Sequence, residues 1–272
     1  MSDQAEPTRP KHRPLGLNQR GYRGEAIDID ALVATLVRSA RKHGWSIDWL
    51  EGSRGLALPV LSRGPRHNSF RLYLSAGIHG DEPAGPLAVH DLIVRNLWPP
   101  DAGLWVCPCL NPSGFRQGTR RNLEGLDLNR DFLQPRSEEI QMHTRWLEQQ
   151  TRFDLAICLH EDWEAKGFYL YDISSAAAES KATDIINAVA PFCPIDPATI
   201  IERRPAREGV IRPQFLPNRR RRWPEAFYLA TRKSDIVYTF EAPSDYALEV
   251  RQAALMTAVR AAWLGMVPTG NR

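Results

Sequence analysis

The sequence predicts an α/β fold: one domain with a mixed, largely parallel central sheet and helices on both faces. Short apolar runs, typical of buried strands, alternate with longer segments of helical periodicity. At 272 residues the chain can also bury one large core, and it contains no internal repeat. We expect residues 1–25 to be a flexible N-terminal lead and residues 26–272 to form the domain.

The first part of the chain predicts one helix and the first strands of the sheet. Asp28 is placed to start a helix that ends near residue 42 and carries one apolar stripe. Residues 46–50 and 56–61 predict short edge strands, and residues 70–76 predict the first central strand.

The middle of the chain predicts two helices around a strand and a long loop. Residues 82–97 are expected to be helical, since prolines at positions 99 and 100 prevent a longer helix. A strand follows at 103–110 and a helix at 137–150. Between them, residues 111–136 form a loop long enough to suggest a function or disorder.

The last part predicts three strands, two helices and an irregular segment. The strands are expected at 153–159, 167–171 and 236–240, and the helices at 176–190 and 246–264. Residues 191–224, rich in proline and arginine, are expected to be irregular.

Composition and cysteine usage limit the possible partners and compartment. A formal net charge of +3 is too small to indicate a nucleic-acid partner. We find no secretory signal and no stretch with the apolar length of a membrane helix, so we expect a cytoplasmic protein with no membrane partner. The cysteines are expected to be buried free thiols, with a zinc site at Cys107, Cys109 and Cys158 as a weaker alternative. Nothing in the sequence indicates the oligomeric state.

Three predicted strands are followed by side chains that can bind a metal or transfer a proton. His79 and Glu82 follow one strand, His160 follows another, and Glu241 follows a third. If the strands are parallel, these residues meet at one edge of the sheet. Two histidines and a carboxylate are a known catalytic zinc set. We predict one zinc ion bound by these three ligands, and Glu241 as the general base for a zinc-activated water.

A plainer interpretation remains open for each of these residues. Glu82 can be a helix-capping carboxylate, His79 a hydrogen-bonded loop histidine, and Glu241 a surface carboxylate just past its strand. The convergence of several strand ends favours the metal site over these alternatives.

The long loop contains candidate groups for binding an anionic substrate. The tandem Asn129-Arg130 can hold a substrate carboxylate, because the guanidinium group matches it bidentately. A further arginine near the metal can stabilise a developing oxyanion. A solvated basic loop is the alternative.

Five motifs occur in an order that resembles the zinc carboxypeptidase (funnelin) family, over about residues 70–245. They are Gly77-Ile78-His79-Gly80-Asp81-Glu82, Asn111-Pro112-Ser113-Gly114, Asn122-x-x-Gly125-x-Asp127-Leu128-Asn129-Arg130-Asp131-Phe132, Leu159-His160 and Thr239-Phe240-Glu241. The compact length is similar to that of bacterial cytoplasmic members such as murein peptide amidases. The resemblance implies zinc ligation by His79, Glu82 and His160, with Glu241 as the base. It also implies that Arg120 polarises the carbonyl, with Arg121 as an adjacent competitor, and that Asn129 and Arg130 bind the terminal carboxylate.

The sequence departs from the family pattern at a few positions. Asp131 stands where the family often has asparagine, which places a negative charge beside the carboxylate-binding pair. The family's mobile tyrosine has no clear counterpart, and Tyr228 is our candidate, with core packing as its alternative. Glu161 and Asp162 are candidates for orienting the metal ligands. The arginines between positions 203 and 222 are expected to line the cleft or to form a solvated insertion.

These features predict a zinc metallocarboxypeptidase that hydrolyses an amide bond adjacent to a free carboxylate in a peptide, including a cell-wall peptide. The alternative enzyme is a deacylase of N-acyl amino acids, resembling the aspartoacylase and succinylglutamate desuccinylase group. An inactive binding module would lack a ligand or the base, and neither is missing here. A nucleic-acid-binding role would predict affinity that falls steeply with salt, and we consider it the weakest of these hypotheses.

Overall fold

The computed structural model describes residues 12–18, 25–64, 70–175, 177–214, 217–219, 221–264 and 266. The helices in these residues are α1 Ile29–Lys42, α2 Ala84–Val94, α3 Pro112–Gln117, α4 Glu138–Gln149, α5 Ala182–Val189, α6 Glu225–Arg232 and α7 Leu248–Leu264. The strands are β1 Ser46–Glu51, β2 Ala57–Arg63, β3 Arg71–Ser75, β4 Gly103–Cys107, β5 Leu155–Asp162, β6 Tyr169–Asp172, β7 Ile200–Ile201, β8 Arg204–Arg207, β9 Val210–Ile211 and β10 Val237–Pro243.

The strands form one mixed sheet in the order β1-β2-β4-β3-β5-β10-β6-β9-β8-β7. The four central strands β4, β3, β5 and β10 are mutually parallel. The antiparallel pairs lie on both sides of this centre. The predicted mixed α/β sheet is therefore confirmed, and its parallel character is concentrated where the predicted site residues lie.

Helices cover both faces of the sheet, as the alternation of apolar side chains along the strands requires. On β3, Leu72 and Leu74 enter the core covered by α1, α2, α5 and α7, whereas Tyr73 enters the core covered by α4 and α6. The candidate site opens at the carboxyl ends of the central strands, on the α4 and α6 side.

The elements differ from the predicted ones mainly in the loops. Residues 111–136 contain α3 and a short 3-10 turn, Leu128–Arg130, and residues 191–224 contain strands β7, β8 and β9. Helix α6 was not predicted. Strands β5 and β10 each extend to include their predicted site residue, because they pair with each other through that region.

The described part of the predicted N-terminal lead contacts the domain. The backbone N–H of Leu15 donates to the Asp245 carbonyl at 2.7 Å, and that of Leu17 donates to the Asp245 carboxylate at 2.7 Å. Residues 1–11 and 19–24 lie outside the described residues, so the predicted boundary near residue 25 stays a prediction. Among the described residues, no helix has the length and apolar character needed to cross a membrane.

Candidate metal centre and active site

The predicted metal ligands lie together in a cleft of about 330 Å³ at the carboxyl ends of β3, β5 and β10. The cleft is lined by His79, Glu82, His160 and Glu241, together with Arg120, Asn129 and Arg130 from the long loop. The structure therefore brings together all the predicted site residues except Tyr228.

The turn after β3 presents His79 because helix α3 packs tightly beneath it. At Gly80 an added Cβ would lie 2.0 Å from the carbonyl carbon of Gly114, so only glycine allows this approach. The Asn111 side chain holds the contact in place: its Nδ2 donates to the Ile78 carbonyl at 3.2 Å, and its Oδ1 accepts the Gly114 N–H at 2.8 Å. The Asn-Pro-Ser-Gly motif is thus a support for the metal-binding turn.

His160 and Glu241 are neighbours because their strands are paired in register. β5 and β10 are parallel, and Glu241 lies opposite His160 in that ladder. On its other side, Glu241 lies opposite Tyr169 of the antiparallel strand β6. Both residues were predicted just beyond their strands, and the structure instead places them within the ladder, which fixes their backbone positions.

His79, Glu82 and His160 form a buried group whose possible ligand atoms all lie within 4.8 Å of one another. Glu82 Oε1 is 2.5 Å from His79 Nδ1, and Glu82 Oε2 is 3.0 Å from His160 Nδ1. The other nitrogen of His79, Nε2, lies 3.3 Å from Asp127 Oδ1. A neutral imidazole has one N–H, so it cannot donate to both carboxylates. A metal ion at this group would remove the conflict and leave Nε2–H to donate to Asp127, a usual partner arrangement for metal-bound histidine.

The pKa shifts at this group favour an anionic carboxylate among the histidines. Burial opposes ionisation of Glu82, but the adjacent His79 and His160 outweigh it and lower the pKa of Glu82. Burial lowers the pKa of His160, which favours the neutral imidazole that a metal binds, whereas the pKa of His79 is raised because Glu82 and Asp127 outweigh its burial. Two buried histidines and one ionised glutamate are a donor set suited to a divalent metal ion.

Glu241 is electrostatically prepared to accept a proton. Burial raises the pKa of Glu241, and the neighbouring carboxylates of Glu82, Asp162 and Glu202 raise it further, although Arg120 opposes them. Its proton affinity is therefore well above that of a solvated glutamate.

Arg120 points at the metal group, whereas Arg121 points away from it. Arg120 Nη1 lies 3.5 Å from Glu82 Oε1, and its Nε donates to Asp127 Oδ2 at 3.2 Å. Arg121 instead donates to the Gly125 carbonyl at 2.8 Å. Asp127 links His79 to Arg120, a role that the sequence reasoning missed although Asp127 lies within the Asp-Leu-Asn-Arg motif.

Asn129 and Arg130 line the side of the cleft. Asn129 Oδ1 accepts the backbone N–H of Glu225 at 2.9 Å, and its Nδ2 lies 3.4 Å from His160 Nε2. Arg130 is exposed and donates only to the adjacent Asn129 carbonyl among the hydrogen bonds found in the described residues. Its guanidinium group therefore keeps donors available for an anion.

The Asp131 carboxylate binds the chain segment just before α4. Its Oδ2 accepts the backbone N–H groups of Arg136 and Ser137 at 2.9 and 2.8 Å, and the Ser137 hydroxyl at 2.8 Å. The carboxylate thus fixes the start of α4, and its buried position separates it from the exposed Arg130 side chain.

Tyr228 does not line the cleft. It is buried in α6, packs on Phe132 at a ring distance of 5.9 Å, and its hydroxyl has no hydrogen-bond partner among the described residues. The structure thus favours the core-packing alternative named for Tyr228. Tyr171 of β6 does line the cleft, and its hydroxyl donates to Glu202.

The far wall of the cleft combines a predicted strand, β6, with the segment 191–224, which was expected to be irregular and instead contains strands. It includes Trp163, Tyr171, Glu202 and Arg204, the last two from the turn and strand that follow β7. The predicted arginine cluster is thereby divided. Arg204 lines the cleft, Arg212 pairs with Asp172 at 3.0 Å, and Arg203 and Arg207 are exposed. Arg220 lies outside the described residues.

A second concave surface, which we call the arginine basin, adjoins the cleft through Arg130. Five exposed arginines line it: Arg121, Arg130, Arg136, Arg221 and Arg222. The acidic residues of its lining are Asp127 and Asp131, and both already bind other groups. The basin is therefore a positively charged approach to the cleft.

The cysteines do not form a metal site. Cys107, Cys109, Cys158 and Cys193 are buried free thiols, as predicted. The group of His79, Glu82 and His160 is the metal-competent cluster found in the described residues.

The sheet and this His-Glu-His group together define a protein with a metallo-carboxypeptidase-like fold. Comparison with solved structures agrees. A candidate metallopeptidase from Shewanella amazonensis superposes with a TM-score of 0.78 and 24% identity, covering 89% of this chain and 94% of that chain. A metallo-carboxypeptidase from Burkholderia cenocepacia gives a TM-score of 0.62 and 18% identity, covering 88% of this chain and 69% of that one.

Sequence comparisons name two more specific relationships. Residues 68–195, just under half of the chain, match the succinylglutamate desuccinylase/aspartoacylase catalytic domain. Murein peptide amidase A of Escherichia coli is 37% identical over 71 residues, which is 26% of this chain and 29% of the amidase. The predicted resemblance to zinc carboxypeptidase-like proteins is thus confirmed, and the relatives include both an amidase of peptides and the deacylase group named as the alternative.

Proposed function

We propose that the chain is a zinc-dependent hydrolase that cleaves an amide bond adjacent to a free carboxylate in a peptide. One observation carries the proposal: the buried His79–Glu82–His160 group, the carboxylate of Glu241 and the guanidinium group of Arg120 face a single cleft. The names of the relatives, a peptide amidase and metallo-carboxypeptidases, support the same class of reaction.

The proposed cofactor is one zinc ion per chain, held by His79, Glu82 and His160. When bound, zinc lowers the pKa of water and polarises a carbonyl group. Two histidines and a glutamate, with an open position toward the cleft, are a donor set that suits catalytic zinc.

The proposed role of Glu241 is proton transfer. Its carboxylate accepts a proton from the attacking water and delivers it to the nitrogen of the leaving amine. The raised pKa of Glu241 supports this role, since burial and the neighbouring carboxylates make it a stronger proton acceptor than a solvated glutamate.

The proposed roles of the loop residues are charge stabilisation and substrate orientation. Arg120 donates hydrogen bonds to the oxygen that gains negative charge, because it lies 3.5 Å from the ligand Glu82 and is held by Asp127. Asn129 and Arg130 bind the free carboxylate, which places the neighbouring amide against the metal group. The arginine basin supports a substrate of overall negative charge.

A second candidate function is deacylation of N-acyl amino acids. The match of residues 68–195 to the succinylglutamate desuccinylase/aspartoacylase domain favours it. The same ligands, base and carboxylate-binding pair serve both reactions, because each cleaves an amide beside a carboxylate. The two substrates differ in the acyl group of that amide, which belongs to a peptide in one case and is a simple acyl chain in the other.

A substrate screen tests the proposal and separates the candidates. The zinc-loaded protein is incubated with peptides that have a free C-terminal carboxylate, the same peptides with a C-terminal amide, and a set of N-acyl amino acids. We expect hydrolysis of the free-acid peptides and about 100-fold or more lower kcat/KM for the amides, since Arg130 then lacks its anionic partner and Asn129 its acceptor. His79→Ala protein purified in parallel controls for contaminating peptidases. Hydrolysis of N-acyl amino acids alone would replace the peptidase proposal with the deacylase, and equal rates on acid and amide peptides would contradict the carboxylate-binding role.

A further inference from the structure

Glu161 of β5 is among the residues that line the cleft, but its carboxylate is buried in an ion pair with Arg251 of α7. Arg251 Nη1 donates to Glu161 Oε2 at 2.6 Å, and the two side chains are 1% and 0% exposed. Neither charged group is therefore accessible to a substrate in the cleft. Burying two charges is costly, so a pair in this position calls for an explanation beyond simple stability.

The Glu161 carboxylate oxygen that does not bind Arg251 caps α2, the helix that follows the proposed ligand Glu82. α2 begins at Ala84 after Pro83, which has no capping side chain. Glu161 Oε1 accepts the Ala84 N–H at 2.6 Å and so supplies the missing acceptor from another strand. Because Ala84 is two residues after Glu82, this bond restrains the backbone that carries the ligand.

Residues 160 and 161 also contact the Glu82 carboxylate directly. The backbone N–H of Glu161 donates to Glu82 Oε2 at 3.2 Å, on the same oxygen that lies 3.0 Å from His160 Nδ1. Glu161 thus restrains Glu82 in two ways. Its side chain holds the backbone just after Glu82, and its backbone N–H holds the Glu82 carboxylate.

Arg251 is in turn held by groups that fix its own direction. Its Nε donates to the Tyr246 carbonyl at 2.8 Å, and its Nη2 donates to the carboxylate of Glu25. Three donors in a fixed fork leave Arg251 little freedom, so the Glu161 carboxylate has one preferred position. The contacts form a continuous connection from Glu25 through Arg251 and Glu161 to Ala84 and Glu82.

We propose that Glu161 and Arg251 are positioning residues that preorganise Glu82 for metal binding. The proposal rests on the metal centre proposed above. Supporting groups of this kind orient ligands, and their loss typically weakens metal binding by about 10- to 100-fold. A structural pair with no such role would affect folding stability while leaving metal affinity unchanged.

The test measures zinc affinity and thermal stability on the same full-length proteins. Zinc release from the loaded protein to a competing chelating dye gives an apparent Kd, and thermal unfolding at saturating zinc gives Tm. Glu161→Gln keeps the size of the side chain but places an amide NH₂ toward either Arg251 or Ala84. Arg251→Met keeps the length and removes the donors.

Lys233→Met is the matched control for loss of a buried cation. Lys233 is 7% exposed, donates to the Gln150 carbonyl at 2.8 Å, and lies beside Phe153 at the amino-terminal end of β5, away from the metal group. We expect about 10- to 100-fold weaker zinc binding in Glu161→Gln and Arg251→Met, and unchanged zinc binding in Lys233→Met even if its Tm falls.

The outcomes separate this proposal from the proposed function. If the wild-type protein binds zinc and both variants bind it equally well, the positioning proposal is wrong and the metal centre stands. If the wild-type protein itself binds no zinc, the metal centre fails and the positioning proposal fails with it. Should Arg251→Met not fold, Glu161→Gln still breaks the pair from the other side, and wild-type zinc affinity in that variant would equally overturn the proposal.

Discussion

The cleft has two parts that differ in burial and in the number of contacts that hold them. We call the residues at or just after the ends of the central strands strand-borne, and those of the long loop loop-borne. His79, Glu82 and His160 are 2%, 6% and 3% exposed and are bonded to one another. The loop-borne Arg120 side chain is 42% exposed, and Arg130 is exposed and bonded to its own chain neighbour. The buried part holds the proposed metal ligands, and the exposed part holds the groups proposed to stabilise charge and to orient a substrate, in keeping with the frequent placement of binding residues on loops. Substitutions in the first part should therefore act on kcat and metal binding, whereas in the second part we expect Arg120 to act on kcat and Arg130 on KM.

The largest effect is expected from the base. Glu241→Gln removes the proton acceptor but keeps the side-chain volume, so kcat should fall by about a hundredfold to ten-thousandfold. Zinc content should stay at the wild-type level, because Glu241 is not among the proposed ligands. Steady-state kinetics and metal analysis on one preparation measure both quantities, and full hydrolysis by this variant would remove Glu241 from the mechanism.

The two adjacent arginines of the long loop give a matched comparison. Arg120→Met should lower kcat by about a hundredfold to a thousandfold, the usual effect of losing an oxyanion donor. Arg121→Met removes the same charge one residue away, from a side chain that donates to the Gly125 carbonyl, and should leave kcat near its wild-type value. Equal losses in both variants would indicate a general electrostatic effect of the loop.

Glu225 connects the two parts, and its buried carboxyl gives a stability test. Its backbone N–H holds Asn129, and its carboxyl accepts from the Tyr73 and Ser75 hydroxyls at 2.6 and 2.8 Å. Burial raises the pKa of Glu225 from 4.5 to about 7. Between these values the folded state binds more protons than the unfolded state, so this group's contribution to stability is fully present below pH 4.5 and is lost as pH rises toward 7.

Glu225→Gln removes that titration and isolates its effect. The difference in free energy of unfolding, variant minus wild type, should increase by about 3 kcal/mol from pH 4 to pH 8, following 1.36 kcal/mol per pKa unit. Denaturant unfolding at several pH values measures this difference. A difference that stays constant with pH would mean that Glu225 has the same pKa in both states.

The strand-borne part of the site could be predicted from the sequence because its signals are local. Apolar runs predict the strands, and His79, Glu82 and His160 come at or soon after the ends of these runs. Because parallel strands bring their carboxyl ends to one edge of the sheet, these residues are expected to meet there. Even so, β5 and β10 extend through His160 and Glu241, since pairing between strands continues where the apolar pattern stops.

Arg120, Asn129 and Arg130 of the long loop were also predicted, from the motif of that loop and the family that it resembles. The far wall of the cleft and the contacts behind the metal group could not be predicted, because they join segments distant in sequence. The β7–β8 hairpin turns through Glu202 and Arg203, which both have positive φ, instead of the Asn-Gly or Asp-Gly pair that signals such a turn. Helix α6 is short and has no capping side chain at Pro224. The Glu161–Arg251 pair joins residues 90 positions apart, and no local pattern indicates such a contact.

The smallest effect is expected from the arginine basin. Replacing Arg221 and Arg222 together by serine removes two charges of the arginine basin and should raise KM for acidic peptides about two- to tenfold, with kcat unchanged, as exposed ion pairs are weak. The effect should shrink at high salt. Arg145→Ser with Arg260→Ser removes two exposed charges that line neither concave surface and should leave KM unchanged. A similar rise in both double variants would attribute the effect to net charge alone.

Metal analysis of the native protein tests the metal centre most directly. The account predicts one equivalent of zinc per chain in wild-type protein after dialysis against zinc and then against metal-free buffer. It predicts less than about a tenth of that amount in His79→Ala and His160→Ala, since each removes one of three ligands. Wild-type zinc content in both variants, or none in the wild-type protein, would contradict the assignment of His79, Glu82 and His160 as a metal site.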